Sequence, residues 1–285
     1  MIQNIPEIFR NTTQNQPSLF VHDFRMTDDV VKSKVKLNLH MFSFLQIGEK
    51  QVHFANNSVA VNEKQSIIIK SGNILMTELL NKDFVYFCKL FFFSQKNVED
   101  FLHKHHKSFS LEINKIPDET PYFVIENDEY TASFVNSLTS IQVLDSKFSE
   151  NLLSVKFEEL MLYLADKYGV NFIQYLNSLT SSNSDYSFRK IIETNLYTNL
   201  KLEEIAFLCN MSLSTFKRHF FNEYGVNPGK WFLKQRLLKA KEKLQVENVK
   251  PSEIYEDFGY NNLSNFSTAF KKEFGFSPKL VKQTN

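Results

Sequence analysis

Residues Leu202–Pro228 read LEEIAFLCNMSLSTFKRHFFNEYGVNP, and residues Ser252–Pro278 read SEIYEDFGYNNLSNFSTAFKKEFGFSP. Several residues of the first segment recur in the second at a constant separation of 50 positions: Phe216/Phe266, Phe220/Phe270, Glu223/Glu273, Gly225/Gly275 and Pro228/Pro278. A solenoid needs at least three repeats, so two copies do not indicate one. The repeat instead predicts two helix-turn-helix units within one small domain.

Each copy has the residues that such a unit needs. In the first copy, Asn210 suits the turn because asparagine tolerates a left-handed backbone. Ser212 suits the N-cap of the helix that follows, and Gly225 suits its end. The sequence therefore predicts that the second helices of the two units span Ser212–Tyr224 and Leu263–Phe274.

Polar side chains occupy the predicted outward faces of these two helices. Hydroxyls, amides and positive charges are the groups that bind base edges and phosphates. We predict base contacts from Ser214, Thr215, Lys217, Arg218, Ser264, Asn265, Ser267 and Thr268, and phosphate contacts from Ser212, Lys230, Asn262, Lys271 and Lys272. A solvated face explains one copy equally well, but two copies with matched core positions favour DNA binding.

Pro228–Val246 predicts a long helix between the two units, with Trp231, Leu233, Leu237, Leu238 and Leu244 as its apolar positions. With this helix, about the last hundred residues resemble the DNA-binding domain of the AraC/XylS family of bacterial transcription regulators. The resemblance implies promoter DNA and RNA polymerase as partners, and an activator controlled through an amino-terminal domain. The motifs KFEELMLYLA and LSTFKRHF resemble the branch that activates type III secretion and virulence genes.

The second helix-turn-helix unit departs from the pattern in two ways. Tyr255 stands where the family usually has a small residue, and one additional residue separates it from Phe266, compared with Ala206 and Phe216. The second reading helix also lacks long Arg or Gln side chains, which make strong bidentate base contacts. We therefore expect the first helix-turn-helix unit to discriminate more strongly between DNA sequences.

Charge divides the chain into two halves. From Phe188 to Asn285 there are 16 Lys+Arg and 10 Asp+Glu, whereas the remaining residues carry a net charge of −5. Such asymmetry is typical of chains in which one half binds nucleic acid. We predict a regulatory and dimerisation domain over 1–180, a linker over 181–187 and a DNA-binding domain over 188–285.

The amino-terminal domain is predicted to be β-rich over 19–93 and helical over 95–180. Residues 37–45 suggest one strand, and Asn56–Asn57 suggest a hairpin turn. The family resemblance implies a cupin-like barrel here. The predicted fold class is therefore α+β: an amino-terminal cupin-like β-barrel or sandwich with flanking helices, then an all-α domain of two helix-turn-helix units joined by a long helix.

Catalysis and metal binding have little support in the sequence. His103, His105 and His106 lie among lysines with spacing that does not suit one helix face, so a solvated helix end is the preferred interpretation. His40 and His53 stand alone in the β-rich part. We predict no metal, no cofactor and no enzymatic activity. The alternative is an enzyme or a ligand-binding barrel with a helical domain that does not read DNA.

The remaining expectations concern assembly and location. The helix predicted over Phe148–Tyr168 pairs subunits in the resembled family, so a homodimer is expected through it, although it could simply pack against its own barrel. The effector, a small molecule or a protein, is unknown. Cys88 and Cys209 are expected to be reduced, and the absence of a signal peptide or a membrane span indicates a cytoplasmic protein without membrane contact.

Overall fold

The structure is a computed structural model that describes residues 2–9, 18–107, 109, 120–142, 148–180, 188–247 and 249–281. The chain divides into two compact parts, which we call the amino-terminal half (Met1–Asp185) and the carboxy-terminal half (Tyr186–Asn285). The predicted linker over 181–187 lies outside the described residues.

Ten strands in the described part of the amino-terminal half form two five-stranded sheets. The first sheet contains, in spatial order, β1 (Ile2–Ile5), β3 (Val30–Leu37), β8 (Gly72–Leu79), β5 (Glu49–His53) and β6 (Ser58–Val61). The second sheet contains β10 (Tyr122–Glu126), β7 (Gln65–Ile69), β4 (His40–Ile47), β9 (Tyr86–Phe93) and β2 (Leu19–Met26). Neighbouring strands run antiparallel, except that β1 pairs with β3 in parallel.

The second sheet lies between two apolar cores. Along β4, Phe42 and Phe44 belong to a core shared with the helices, whereas Met41 and Leu45 belong to the core shared with the first sheet. Strands that are buried on both faces read as continuous apolar runs, because no position alternates toward water. This accounts for the run YFCKLFFF in β9.

The described part of the amino-terminal half also contains four α-helices: α1 (Gln95–His105), α2 (Glu129–Gln142), α3 (Ser149–Tyr168) and α4 (Val170–Thr180). A capping box starts α1, because the Ser94 hydroxyl accepts from the Asn97 N–H at 3.2 Å while the Asn97 side chain accepts from the Ser94 N–H at 2.9 Å. Gly169, at φ 58°, ends α3 as its sequence position predicts.

The α+β prediction for the chain is confirmed, but three details of the amino-terminal half were wrong. The single strand expected over 37–45 is two strands, since β3 ends at Leu37 and β4 begins at His40. The apolar residues of two adjacent strands had merged into one pattern. β1 pairs with β3 although it lies ahead of the segment predicted to be β-rich, which begins at residue 19, and β10 adds a strand within the segment predicted to be helical. The cupin-like character of the sheets stays a prediction.

The last turn of α4 is held by side chains from other segments of the amino-terminal half. Lys70 donates to the Ser178 carbonyl at 2.8 Å, and Gln95 donates to the Thr180 carbonyl at 2.9 Å. His40 bonds the intervening Leu179 carbonyl and accepts from the Ser71 N–H at 3.0 Å. Burial, with a smaller contribution from Lys70, lowers the pKa of His40 to about 4, so the ring is neutral at neutral pH.

A buried ion pair lies between the two sheets. Lys50 Nζ is 2.9 Å from Glu78 Oε1, and the Tyr86 hydroxyl donates to the same oxygen at 3.1 Å. Burial, the largest single influence, opposes the charged form of Lys50, but the charge of Glu78, the neighbouring Cys88 and the hydrogen bond to Glu78 together outweigh it and raise the pKa of the ammonium group. The cavity beside this pair measures about 10 Å³, which is room for about one water molecule.

The described part of the carboxy-terminal half is helical: α5 (Phe188–Thr194), α6 (Leu202–Leu208), α7 (Leu213–Tyr224), α8 (Pro228–Val246), α9 (Pro251–Ile254) and α10 (Leu263–Phe274), followed by a 3-10 turn at Pro278–Leu280. The bounds of α8 are those predicted for the joining helix. α7 and α10 are the two predicted reading helices, of the first and the second helix-turn-helix unit respectively.

Candidate nucleic-acid interface

The repeated phenylalanines anchor both reading helices. Phe216 and Phe220 on α7 are fully buried, as are Phe266 and Phe270 on α10. The Phe220 ring lies 5.4 Å from the Trp231 ring of α8, measured between centroids. On the other side of the repeat, Phe266 and Phe270 pack in one core with apolar residues of α8 that include Leu237 and Leu244. The joining helix therefore supplies part of the core of both helix-turn-helix units.

The turns of the two helix-turn-helix units close in the same way. In the first, Asn210 has φ 56° and the Met211 N–H donates to the Ala206 carbonyl at 2.9 Å. In the second, Gly259 has φ 81° and the Tyr260 N–H donates to the Tyr255 carbonyl at 3.2 Å. A left-handed residue with such a bond is a common end for a helix. Tyr255 therefore occupies the position of Ala206, as the sequence comparison predicts.

The additional residue of the second helix-turn-helix unit lies after this helix end. Ser212, the N-cap of α7, follows Asn210 by two positions, whereas Asn262, the N-cap of α10, follows Gly259 by three. The insertion thus lengthens the exposed turn after the closing bond. The helices themselves end differently, since α6 ends at Leu208, two residues before Asn210, and α9 ends at Ile254, five residues before Gly259. The Tyr255 hydroxyl donates to Glu256 at 2.8 Å in an exposed position, so its ring extends to the surface.

Both reading helices begin with a side-chain cap. The Ser212 hydroxyl accepts from the Thr215 N–H at 3.2 Å, and the Asn262 side-chain oxygen accepts from the Asn265 N–H at 2.8 Å. Ser212 also lies 3.0 Å from the Ser214 hydroxyl. These oxygens are already used within the helix ends, so the predicted phosphate contacts of Ser212 and Asn262 would be added to a capping role.

The predicted base contacts form one outward face on each helix. On α7, Ser214, Lys217 and Arg218 are exposed and Thr215 is half-buried. On α10, the exposed residues are Ser264, Asn265 and Thr268, and Ser267 is half-buried. The lysines predicted to contact phosphates are all exposed: Lys230, Lys271 and Lys272. The fold thus leaves both sets accessible to a duplex.

One residue on the face of α7 was missed. Phe221 is 57% exposed, three positions after Arg218 and four after Lys217. Its helical spacing from Ser214, which is two turns, was the available signal, because residues seven apart share a helix face. The sequence prediction of base contacts named polar side chains only, so it did not include this apolar one.

Arg236 connects the two helix-turn-helix units through the face of α8. The Arg236 guanidinium donates to the Leu196 carbonyl at 3.2 Å and to the Thr198 carbonyl at 2.7 Å. Both carbonyls lie in the segment before α6, the first helix of the first helix-turn-helix unit. The remaining guanidinium nitrogen, Nη1, lies beside Gly259 in the turn of the second helix-turn-helix unit, 3.4 Å from the position that a Cβ on Gly259 would take. Burial lowers the pKa of the Arg236 guanidinium.

Two of the apolar positions predicted for α8 were wrong. Leu233 is 44% exposed and Leu238 is 40% exposed, whereas Phe232 and Ala240 are buried. The helix period of 3.6 residues brings Leu237, Ala240 and Leu244 onto one stripe, and Leu238 lies about 100° away from it. Leu233 lies on the same stripe, four residues before Leu237, but it is exposed nearer the start of the helix. The sequence prediction missed Ala240 because its side chain is small.

The histidines at the end of α1 contact carboxylates and carbonyls of the amino-terminal half. His105 Nε2 lies 2.8 Å from Glu158 Oε1 on α3, and the His106 ring lies 2.8 Å from the His103 carbonyl oxygen. Within the described ranges, no group of three His, Cys, Asp or Glu side chains could hold a metal ion.

No helix among the residues described is long and apolar enough to span a membrane. Burial raises the pKa of the Cys209 thiol to about 12, so the thiol is protonated.

Sequence comparison finds two family domains in the chain. Residues 40–175 match the ExsA N-terminal regulatory domain, and residues 205–284 match a helix-turn-helix domain. The virulence regulon transcriptional activator VirF of Yersinia enterocolitica is 29% identical over 140 residues, which are 49% of this chain and 51% of VirF. The regulator ExsA of Pseudomonas aeruginosa is 27% identical over 133 residues, which are 46% of this chain and 48% of ExsA. The chain thus spans about half the length of the curated relatives that it matches.

Among solved structures, the chain resembles ToxT from Vibrio cholerae at 15% identity and a TM-score of 0.42, over 92% of this chain and 96% of ToxT. The DNA-binding domain of AdpA in complex with a target DNA is similar over 34% of this chain and 88% of that domain, at 24% identity and a TM-score of 0.31.

Proposed function

Because the chain belongs to the AraC/XylS family of transcription regulators, we propose that it is a sequence-specific DNA-binding regulator that activates transcription from its target promoters. The observation that carries the proposal is the pair of reading helices with matched buried anchors and exposed polar faces. Two such helices on one scaffold suit successive major grooves, whose centres lie about 34–36 Å apart on one face of the duplex. RNA polymerase is the proposed partner at the promoter.

The first helix-turn-helix unit carries most of the sequence discrimination in this proposal. Arg218 and Lys217 have the reach and the donors for bidentate contacts to guanine, each worth roughly 1–3 kcal/mol of discrimination. Ser264, Asn265 and Thr268 of the second helix-turn-helix unit have shorter side chains, so their contacts are fewer. Lys271 and Lys272 there would bind phosphates, which fix the register of the protein without carrying sequence information.

The test is selection of binding sites from a random-sequence duplex library by the full-length chain, followed by footprinting across a salt series. We expect a defined site whose occupancy falls as salt rises. Arg218→Ala should lower the affinity about 10- to 100-fold and relax the preference at one position. Arg189→Ala is the matched control, since Arg189 is exposed in the same half of the chain but pairs with Glu223.

Selection without any enriched sequence would contradict the proposal. Salt-dependent binding that leaves no footprint would show a basic surface only. A site that Arg218→Ala and Arg189→Ala affect equally would remove Arg218 from base reading, although it would leave the regulator itself in place.

We propose in addition that the chain forms a homodimer through α3. Its core-facing residues include Phe157, Leu160 and Leu164, which are buried in the amino-terminal half. The opposite side exposes an apolar stripe at spacings of four, three and seven: Phe148 at 58%, Leu152 at 39%, Val155 at 63% and Leu162 at 40%. That spacing is typical of a helix that pairs with a second helix.

Sedimentation of the full-length chain tests the dimer. Val155→Glu combined with Leu162→Glu should shift the population to monomer, because two charges would be buried at the interface. Ser154→Glu, on the same helix but beside the stripe, is the control and should leave the dimer intact. A wild-type chain that sediments as a monomer at micromolar concentration would contradict the assignment.

Control by the amino-terminal half is proposed to act through a protein partner. Among the residues that the structure describes, the cavity between the sheets beside Lys50 and Glu78 measures about 10 Å³, which leaves no room at that place for an organic effector. We propose that the chain works in the cytoplasm without membrane contact and without enzymatic activity. A purified chain that carried a bound small molecule, detected by native mass spectrometry, would favour the small-molecule alternative.

A further inference from the structure

We propose that Phe221 is a specificity-determining residue that contacts the C5-methyl group of a thymine in the site read by the first helix-turn-helix unit. The inference rests on the proposed function, since it requires α7 to enter a major groove. It concerns a residue for which neither charge nor hydrogen bonding provides a role.

The position of Phe221 is the first argument. The residues Ser214, Lys217, Arg218 and Phe221 are spaced three, four and seven apart on α7, and all four are exposed. Residues at these spacings share one face of a helix. A helix that presents Lys217 and Arg218 to base edges therefore presents Phe221 to the same groove.

The reach of the residue is compatible with base contact. Seven residues of helix cover about 10.5 Å between Ser214 and Phe221, and the major groove is about 12 Å wide. Ser214 is short and permits a close approach of the amino-terminal end of the helix. The phenyl ring of Phe221 extends further from the backbone, so it can reach the base edges even where the carboxy-terminal end of the helix lies further from them.

The chemistry of the phenyl ring indicates which group of the DNA Phe221 contacts. A phenyl ring cannot donate a hydrogen bond to a phosphate or to a base. Among the groups that base pairs display in the major groove, the thymine methyl is the apolar one, and phenylalanine is among the side chains that contact it. Burial of the ring against this methyl removes apolar surface of both from water.

The repeat supplies an internal contrast. The residue that corresponds to Phe221 in the second helix-turn-helix unit is Lys271, which is exposed on α10 and followed by Lys272. A shared structural requirement of the fold would have kept the residue type, as it did for the buried phenylalanines. The difference therefore belongs to the surface and indicates different partners: a phosphate for Lys271 and an apolar group for Phe221.

The experiment uses the full-length chain and the site that it selects from a random duplex library. Each thymine in the half of the site protected by the first helix-turn-helix unit is replaced in turn by deoxyuridine, which lacks only the methyl group. At one position, the wild-type chain should bind about fourfold more weakly, as expected for one buried methyl group. Phe221→Ala should bind the unmodified site at least about fourfold more weakly, for the same reason, and should no longer distinguish thymine from uracil there.

Two further variants sharpen the result. Phe221→Leu keeps an apolar side chain and should retain part of the thymine preference. Val246→Ala removes an apolar side chain that is 71% exposed at the end of α8, away from the reading face, and should behave as wild type. Because Phe221 is exposed, its replacement should leave the thermal unfolding of the protein unchanged.

Several outcomes would overturn the inference. Specific binding with an unchanged thymine preference in Phe221→Ala would exclude the methyl contact while leaving the proposed function intact. Unchanged binding by Phe221→Ala, together with reduced transcription in a reconstituted reaction with RNA polymerase, would assign Phe221 to a protein contact. Failure of the wild-type chain to select any site would overturn the proposed function and this inference with it.

Discussion

The two helix-turn-helix units of the carboxy-terminal half share their buried phenylalanines but differ in their exposed residues. Phe216 and Phe220 correspond to Phe266 and Phe270, and all four are fully buried. The outward residues Lys217, Arg218 and Phe221 correspond instead to Ser267, Thr268 and Lys271. Packing therefore requires one shape in both units, whereas each reading face is free to take the chemistry of its own half of the proposed DNA site.

The largest expected effect tests the shared interior. Phe216→Ala and Phe266→Ala should each lower the free energy of unfolding by about 3–5 kcal/mol, because each leaves a cavity in a filled core. The chain has a single tryptophan, Trp231 on α8, whose fluorescence reports on the unfolding of the carboxy-terminal half in urea. Both substitutions should shift this transition, since α8 contributes to both cores.

The exposed Phe221→Ala is the matched control and should change stability by less than about 0.5 kcal/mol. A tryptophan transition that responds to Phe216→Ala but not to Phe266→Ala would show that the two helix-turn-helix units unfold independently and share no core through α8.

A smaller effect separates the two turns. Gly259→Ala should cost about 2 kcal/mol, since φ 81° strains an alanine and its Cβ would lie 3.0 Å from the Asn199 side-chain oxygen. Asn210→Ala should cost about 1 kcal/mol from the left-handed backbone alone. Both are measured by urea unfolding of the full-length chain.

Asn210→Gly is the control for the first turn and should be within about 0.5 kcal/mol of wild type, because glycine adopts this backbone freely. Equal losses for Gly259→Ala and Asn210→Ala would show that the contact with Asn199 has no influence on the second turn.

Replacement of either helix cap by alanine should lower the free energy of unfolding by about 1 kcal/mol. We expect Asn262→Ala to cost at least as much as Ser212→Ala, because its bond to the Asn265 N–H is 2.8 Å while that of Ser212 to the Thr215 N–H is 3.2 Å. Thermal unfolding measures both.

Aspartate distinguishes capping from phosphate binding at these positions. Ser212→Asp keeps a cap and favours the positive end of the helix, so stability should be retained. If Ser212 also lies beside a phosphate, the added charge should weaken DNA binding. Unchanged binding by the stable Ser212→Asp would show that the residue is only a cap.

The smallest expected effect concerns salt dependence. Lys271→Ala should reduce the slope of log affinity against log salt by about one and should weaken binding to all sequences alike. Phe221→Lys, which gives the first helix-turn-helix unit the residue of the second, should increase the slope by about one if it reaches a phosphate. A slope unaffected by Lys271→Ala would remove this lysine from the phosphate contacts.

The sequence predicted the carboxy-terminal half far better than the amino-terminal half. A repeat compares a segment with itself, so matched positions such as Gly225 and Gly275 identified both helix ends, and Pro228 marked the start of α8 with its bounds intact. The strands β3 and β4 had no such comparison. Only Asn38 and Leu39 separate them, and a two-residue break is too short to interrupt an apolar pattern.

The candidate site was predicted in its polar part only. Exposed hydroxyls and cations follow from helix periodicity once the buried phenylalanines are known, which located Lys217 and Arg218. Helix periodicity places Phe221 on the same outward face, but hydrophobicity alone assigns a phenylalanine to the core, and the sequence prediction followed hydrophobicity. Its exposure depends on the rotation of α7 that Phe216 and Phe220 impose together.

The end of α4 is the last described part of the amino-terminal half, and side chains from three segments form hydrogen bonds with it. His40 lies in β4, Lys70 directly after β7 and Gln95 at the start of α1, and each holds a carbonyl of the same turn. Displacement of any one of these segments by a binding partner would therefore remove a hydrogen bond from the same helix turn. Because burial lowers the pKa of His40 to about 4, its ring stays neutral within the ordinary cellular range of pH, and its bond to the Leu179 carbonyl is expected to persist there.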